Sequence, residues 1–158
     1  MVDHVAKDVR SKIMASVHST GNRTTELALG RLLWASGLRG YRKQWHVAGK
    51  PDFAWPGLKI AVFVDGCFWH GCTRCKYLPR SRTDFWRSKI ETNKRRDRRV
   101  SDRLRREGWR VIRVKECKVK LESTVLRISG AITERRSHLR TTPAATRLGH
   151  ALANGAKA

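Results

Sequence analysis

The chain has 158 residues, with 35 Lys and Arg against 13 Asp and Glu, and so carries a formal net charge of +22 at pH 7. This length favours one domain, and a hydrophobic content of 40% supports a folded core, which excludes a disordered polycation. A positive field of this size favours nucleic acid as the partner, and the lack of an apolar run of spanning length argues against a membrane.

Hydrophobic periodicity and turn residues divide the chain into helices and strands. The predicted elements, in chain order, are a polar arm with a short helix around Val9 to Val17, a helix from about Arg23 to Ser36, an edge strand over 41–47, a hairpin of strands Asp52–Trp55 and Leu58–Val64, a loop over Pro79–Arg82, a helix from Thr83 to about Glu107, a strand over Trp109–Val114 and a last helix from Thr124 to about Arg136. This order predicts an α/β fold with a short mixed sheet. Beyond Thr141 the composition predicts a flexible tail.

The four cysteines predict a structural zinc site. Cys67, Cys72 and Cys75 lie close together, and Cys117 follows a later strand. The first residues lack the apolar core of a signal peptide, so we expect a cytoplasmic protein whose thiols bind metal, with buried or disulfide-linked cysteines as the alternative. Zn²⁺ prefers four N or S ligands, and Cys-x2-Cys is the usual knuckle. The four cysteines leave no orphan thiol and are the preferred set; a set with His70 in place of Cys117 is the alternative.

The few carboxylates predict a magnesium site. Asp52 opens the first strand of the hairpin and Asp65 ends the second, so the hairpin brings Asp52 close to the backbone of Val64. Mg²⁺ takes carboxylate and carbonyl oxygens, with substrate phosphate filling other positions, as in phosphodiester hydrolases. Three further polar residues could converge from the two helices: Glu26, Asn93 and Asp97. Each of these residues alone is better explained as a cap or a solvated face, but together, in so basic a chain, they favour a nuclease.

Several spaced blocks of the sequence, in this order, resemble one protein family. The blocks are Pro51-Asp52-Phe53, the run from Val62 to Cys72, Phe85-Trp86, Lys89-Ile90 with Asn93, Arg96-Asp97, the run from Gly108 to Val111, and Glu116-Cys117. The family is that of the very-short-patch repair (Vsr) DNA mismatch endonucleases, and the resemblance extends from about Arg10 to about Ile132.

The resemblance implies a restriction-endonuclease-like core, with a central mixed sheet flanked by helices and a structural zinc. It implies a Mg²⁺-dependent endonuclease that nicks double-stranded DNA beside a T:G mismatch left by deamination of 5-methylcytosine. Residues 1–20 would form a DNA-contacting arm, 21–140 the nuclease domain and 141–158 the flexible tail. The implied setting is a bacterial-type, nucleoid-associated monomer in the cytoplasm. The implied partners are mismatch-repair proteins and a functionally linked cytosine-5 DNA methyltransferase.

The resemblance also implies roles for single residues. Asp52 would be the Mg²⁺ carboxylate, and Val64 would offer its backbone carbonyl to the same ion. His70 would act as general base or position the water, and Glu26 would support the site from the first helix. The remaining implied roles are further support by Asn93 and Asp97, wedges beside the mismatch at Phe68, Trp69 and Trp86, and zinc ligands at Cys67, Cys72, Cys75 and Cys117.

The aromatic wedges make physical sense, because a mismatched step unstacks at lower cost than a paired one. Core packing is the alternative for Phe68 and Trp69. One position departs from the wider restriction-type pattern, which would put an acid-x-Lys at 65–67, whereas the sequence reads Asp65-Gly66-Cys67. The lysine is absent, so His70 must substitute for it. Asp65 would be a second metal ligand or the partner of an Arg.

Two other functions compete with this hypothesis. A nuclease of the same fold without mismatch preference would serve restriction or phage defence, and the high positive charge would suit it. A zinc-stabilised DNA- or RNA-binding protein would need the basic helix and the rings. Such a protein would have no use for Asp52 and His70, whose presence together argues against it.

Overall fold

The computed structural model describes residues 25–75, 78 and 82–141. Its elements are, in chain order, α1 (Glu26–Ala35), β1 (Phe53–Trp55), a 3-10 turn (Pro56–Leu58), β2 (Ile60–Asp65), α2 (Thr83–Arg106), β3 (Arg110–Lys115), a second 3-10 turn (Glu116–Lys118) and α3 (Glu122–Thr141). They confirm the predicted α/β fold with a small mixed sheet and helices. The predicted helix around Val9 to Val17, the loop residues 79–81 and the tail beyond Thr141 lie outside the described residues.

The predicted hairpin forms between β1 and β2. Phe53 lies opposite Val62 and Trp55 opposite Ile60, in antiparallel register. Lys59 closes the turn in the left-handed region, with φ 49°. This register places Asp52, which precedes β1, beside the C-terminal end of β2.

β2 is the central strand, antiparallel to β1 and parallel to β3. Parallel strands need a crossover connection, and α2 lies in the segment that supplies it. Phe63 pairs with Arg113 and Asp65 with Lys115, so the C-terminal ends of the two strands meet at one edge of the sheet. Residues that follow either strand are therefore neighbours.

Helices cover both faces of the sheet. α1 and α3 pack on one face, around a core of Leu29, Leu33, Phe53, Trp55, Ile60, Val62, Ile112, Val114, Val119, Ile128, Ala131 and Ile132. α2 packs on the other face, around Ala54, Ala61, Phe63, Leu104 and Trp109. Full burial of each large apolar side chain contributes about 1.5–3 kcal/mol to the stability of the fold. The two cores therefore hold the strands, and with them the strand ends, in fixed positions. Among the described residues, no helix combines the length and apolar character needed to cross a membrane.

The predicted edge strand over 41–47 is wrong. This segment contacts β1 through one isolated bridge, between Arg42 and Ala54, and Gln44 adopts a left-handed conformation with φ 49°. Such a conformation ends regular strand pairing. The last helix is longer than predicted and extends to Thr141. Its residues beyond Arg136 are exposed, so they add no apolar periodicity from which the longer helix could be predicted.

Candidate active site and metal centre

Asp52 lies immediately before β1 and contacts the end of β2. Its Oδ2 accepts a 2.6 Å hydrogen bond from the Val64 amide, and Gln44 Nε2 donates to its Oδ1 at 3.4 Å. Burial raises the pKa of Asp52 to about 6; the Val64 amide opposes this shift, whereas the carboxylates of Glu26 and Asp65 add to it. A carboxylate whose charge is disfavoured by burial and by like charges is typical of a functional site.

Val64 and Glu26 adjoin Asp52 from two different elements. The N–H and C=O of one strand residue point to the same edge of the strand, so the Val64 carbonyl lies on the Asp52 side of β2. Glu26 is the first residue of α1 and is close enough to act electrostatically on Asp52. Two carboxylates and a carbonyl are the oxygen ligands that Mg²⁺ prefers.

Asp65 ends β2 and forms ion pairs with two residues of β3. Its side chain is 3% exposed, and Arg113 binds it through Nε at 3.0 Å and Nη2 at 2.5 Å. Lys115 Nζ lies 3.2 Å from Asp65 Oδ2. Burial alone would raise the pKa of Asp65, but Arg113, His70 and Lys115 hold it below its usual range. Of the two roles that the sequence left open for Asp65, these contacts match the partner of an Arg.

His70 lies in the loop after β2 and pairs with Asp97 of α2. The distance from His70 Nδ1 to Asp97 Oδ2 is 2.5 Å, and the distance to Asp65 Oδ1 is 3.9 Å. Arg113 Nη2 lies 3.1 Å from the second Asp97 oxygen. A carboxylate that accepts from Nδ1 leaves Nε2 as the basic nitrogen of a neutral imidazole.

Two further contacts hold the His70 loop against α2. Asn93 Nδ2 donates a 2.9 Å hydrogen bond to the backbone carbonyl of Trp69. Gly71 has φ 55°, and a Cβ there would lie 2.7 Å from Ile90 Cγ2, so the loop approaches the helix too closely for a side chain. Asn93 therefore acts on the loop rather than inside the carboxylate cluster.

A cleft of about 380 Å³ collects these groups. Its lining includes Asp52, Val64, Asp65, His70, Asp97 and Arg113, and Lys50 and Arg96 line it as well. The carboxylates suit a divalent cation, and the basic side chains suit phosphate oxygens. α2, which is rich in Lys and Arg, extends this positive surface.

The four cysteines come together at the C-terminal ends of β2 and β3. The sulfur atoms of Cys67, Cys72, Cys75 and Cys117 all lie within 4.8 Å of one another. Cys72 Sγ and Cys117 Sγ are 3.7 Å apart, and the Cys117 amide donates to Cys67 Sγ at 3.4 Å. His70 belongs to a separate group with Asp65 and Asp97. The geometry thus favours the four-cysteine set over the set that includes His70.

The cysteine cluster suits a thiophilic cation. The backbone amides of Cys75 and Arg74 donate to the Cys72 sulfur and lower the pKa of this thiol to about 6. The pKa of Cys67 is raised, by burial and by the neighbouring thiols. The Cys72 thiolate thus forms readily while that of Cys67 is disfavoured, a conflict that a bound Zn²⁺ would remove because it binds cysteines as thiolates.

The predicted wedge residues form one aromatic cluster beside the His70 loop. Ring centroids of Phe68 and Trp69 lie 4.9 Å apart, those of Phe68 and Trp86 5.1 Å and those of Trp69 and Trp86 6.1 Å, all edge to face. Phe85 joins at 5.1 Å from Trp86 and is 56% exposed. The three predicted rings are half-buried, and the two cores of the sheet consist of other residues.

Arg113 and Lys115 are site residues that the sequence analysis missed. Both lie in β3, at alternate positions, and Ile112 and Val114 on the other face of the strand belong to the core. Two cations at period 2 in a predicted buried strand are the signal that could have revealed them, because charges in such a strand need partners.

Known proteins resemble this chain in sequence. Residues 2–76 match the family model described as DNA mismatch endonuclease Vsr. Type II nicking enzyme V.NmeDIP of Neisseria meningitidis serogroup C is 44% identical over 114 residues, which cover 71% of this chain and 76% of the relative. Type II nicking enzyme V.HpaIIP of Haemophilus parainfluenzae is 38% identical over 138 residues, 85% of this chain and 98% of the relative. DNA mismatch endonuclease Vsr of Escherichia coli K12 is 40% identical over 119 residues, which cover 74% of this chain and 75% of the relative.

Proposed function

The chain belongs to the family of Vsr DNA mismatch endonucleases, and we propose that it nicks one strand of duplex DNA beside a T:G mismatch in a Mg²⁺-dependent reaction. The relatives named type II nicking enzymes support cleavage of a single strand. One observation carries the proposal. A single cleft holds Asp52, whose pKa is raised by burial, together with the His70–Asp97 pair and basic side chains.

Asp52 and the Val64 carbonyl would hold the Mg²⁺ ion, with Glu26 in support. When bound, the ion would stabilise negative charge on the scissile phosphate and on the leaving oxygen. The Val64 amide, which donates to one Asp52 oxygen at 2.6 Å, orients the carboxylate and so supports this role. The raised pKa of Asp52 supports a cation site, since a cation offsets the burial of its charge.

His70 would remove a proton from the attacking water. Its Nδ1 donates to Asp97 Oδ2 at 2.5 Å, which leaves the lone pair on Nε2 and stabilises the imidazolium after proton transfer. Gly71 and Asn93 hold the loop that carries His70 against α2. General base catalysis of this kind contributes roughly 10²–10⁴-fold in rate.

Phe68, Trp69 and Trp86 would insert beside the mismatch. They form one half-buried cluster next to the His70 loop, so a base step that opens onto them brings its phosphate near the cleft. Stacking on an aromatic ring contributes about 1–3 kcal/mol per base, and a T:G step opens at lower cost than a T:A step. The rings would therefore select the mismatch.

Zinc bound by Cys67, Cys72, Cys75 and Cys117 would fix the loop that carries both the rings and the general base. Cys67 and Cys72 flank Phe68, Trp69 and His70 in sequence, so two of the four ligands pin the ends of this segment. The zinc role proposed is structural, because four protein thiolates leave no open coordination position.

The wider expectations from the resemblance stay predictions. They are a restriction-endonuclease-like core, a DNA-contacting arm over 1–20, a nuclease domain over 21–140, a flexible tail over 141–158, a cytoplasmic, nucleoid-associated monomer, and functional links to mismatch-repair proteins and a cytosine-5 DNA methyltransferase.

A strand-resolved cleavage assay tests the proposal. T:G and T:A duplexes in randomised flanks, labelled differently on the two strands, are incubated with Mg²⁺, with Ca²⁺ and without divalent ion. We expect a single nick in the T:G duplex, in Mg²⁺ only, and none with Asp52→Ala. Equal cleavage of both duplexes would indicate the nuclease without mismatch preference. Tight binding without cleavage under any condition would indicate the non-catalytic DNA-binding protein.

A further inference from the structure

We propose that Arg113 is a positioning residue of the active site, which holds Asp97 against His70 by bridging Asp97 to Asp65. This inference rests on the proposed function, because it assumes that His70 takes part in nicking. Arg113 contacts two carboxylates at once: its Nη2 lies 2.5 Å from Asp65 Oδ1 and 3.1 Å from Asp97 Oδ1. The other Asp97 oxygen accepts from His70 Nδ1. A continuous chain of charged hydrogen bonds thus runs from β2 through β3 and α2 to His70.

The sheet fixes the position of the Arg113 guanidinium. Arg113 pairs in register with Phe63, and its guanidinium carbon lies 5.1 Å from the centroid of the Phe63 ring. Asp65 anchors the guanidinium with two parallel hydrogen bonds, the fork geometry that Arg forms with a carboxylate and Lys cannot. The same Nη2 that donates to Asp65 also lies 3.1 Å from Asp97 Oδ1, so the position of Asp97 is set by the sheet as well as by its own helix.

Low solvent exposure makes this bridge strong. The Asp65 side chain is 3% exposed, the Asp97 side chain 14% and the Arg113 side chain 23%. Water screens charges at such depth poorly, so removal of Arg113 would leave Asp97 facing the buried Asp65 carboxylate at close range. Repulsion between the two carboxylates would move Asp97 away from Asp65 and release His70 from its orientation.

The contacts of Arg113 also bear on where a divalent cation can bind in the cleft. Asp65, His70 and Asp97 place their ligand-type atoms within 4.8 Å of one another, which is close enough for a metal ion. Arg113 and Lys115 already contact both Asp65 oxygens, and Arg113 contacts Asp97. Arg113 is therefore the fixed cation of this group, and divalent ion is expected only beside Asp52.

Single-turnover nicking of the T:G duplex at saturating Mg²⁺ and saturating enzyme tests the role of Arg113. We expect Arg113→Ala to lower the rate constant about 10²-fold, as misplaced catalytic groups do, and Arg113→Lys to recover part of the loss. Arg110→Ala is the matched control, since Arg110 belongs to the same strand but pairs with Glu134 at the surface. Duplex affinity should fall no further in Arg113→Ala than in Arg110→Ala. A wild-type rate for Arg113→Ala would overturn the proposal.

Two measurements separate positioning from folding. The double variant Asp65→Asn with Arg113→Met removes both buried charges, so its melting temperature should approach that of the wild type. It should nevertheless nick well below the wild-type rate, because Asp97 has still lost its anchor even though the Asp65 charge that repels it is gone. Millimolar methylguanidinium should raise the rate of Arg113→Ala and leave Arg110→Ala unchanged. A double variant that nicks at the wild-type rate, or no response to methylguanidinium, would refute the positioning role.

A failure of this inference can be told apart from a failure of the proposed function. Asp52→Ala serves as the inactive reference in the same assay. Mg²⁺-dependent nicking by the wild type and its loss in Asp52→Ala would support the nuclease even if every Arg113 variant behaved like the wild type.

Discussion

Replacing Asp52 with Asn is expected to make the metal-free protein more stable and inactive. The pKa of Asp52 is raised from 3.8 to about 6, and at about 1.4 kcal/mol per pKa unit the ionised side chain destabilises the fold by about 3 kcal/mol. Burial is the main cause, and Glu26 and Asp65 add to it. Asn removes the charge and keeps an oxygen that can accept from the Val64 amide.

The pH dependence gives the sign of the effect. The folded state holds the Asp52 proton more tightly than the unfolded state, so this side chain destabilises the fold progressively as pH rises from 3.8 to about 6. The gain in unfolding free energy from Asp52→Asn should therefore be about 1.6 kcal/mol at pH 5 and about 3 kcal/mol at pH 8. Mg²⁺ should stabilise the wild type and leave the variant unchanged, because the ion binds the carboxylate.

Urea unfolding followed by tryptophan fluorescence, in zinc-containing and magnesium-free buffer, measures this difference at both pH values. Asp102→Asn is the control, because the Asp102 side chain is 63% exposed and pairs only with surface Arg105 in the described contacts. Asp102→Asn should change the free energy of unfolding by less than about 1 kcal/mol at both pH values. The reasoning fails if Asp52→Asn is no more stable than the wild type at pH 8. It also fails if the gain in unfolding free energy at pH 5 equals the gain at pH 8.

Three further predictions address the zinc and the rings. Cys117→Ser should lower bound zinc and the melting temperature, since the site needs all its ligands; native mass spectrometry checks the metal content, and full occupancy would count against the four-cysteine set. His70→Ala should keep its zinc yet lose nicking, because His70 pairs with Asp97; a loss of zinc there would instead make His70 a ligand. Trp69→Ala should lower the ratio of the T:G to the T:A nicking rate by about 5- to 150-fold, the equivalent of about 1–3 kcal/mol for one stacked base. Trp34→Ala, which removes an exposed ring of α1, is its control, and an unchanged ratio in Trp69→Ala would contradict the wedge role.

Local signals explain why most of the fold was predictable. Pro56-Gly57 between two apolar runs predicts the hairpin, and the helical period from Trp86 to Leu104 predicts α2. The failure at 41–47 has a local cause as well. That segment looks like a strand in composition, but its pairing with β1 reduces to the single bridge between Arg42 and Ala54.

The chemistry of the site was predictable mainly where its residues are close together along the chain. The cysteine spacing predicts a metal site, because Cys67, Cys72 and Cys75 are close along the chain and Cys117 follows another strand. An Arg partner for Asp65 was one of two predicted roles, but the residues that form its ion pairs were not identified. Its partners Arg113 and Lys115 are about fifty residues away, and no local pattern sets which strand lies beside β2.

The sequence by itself determined the inventory of this protein: three thiols beside two aromatic rings and a histidine, a fourth thiol after a later strand, a carboxylate at each end of a hairpin, and a strongly basic composition. Tertiary structure alone decided the pairing of these groups. His70 lies beside Asp97 instead of the cysteines, and Asp65 lies beside Arg113. The physical reason is the parallel register of β2 and β3, which puts Asp65 opposite Lys115 and gathers on one edge the residues that follow both strands.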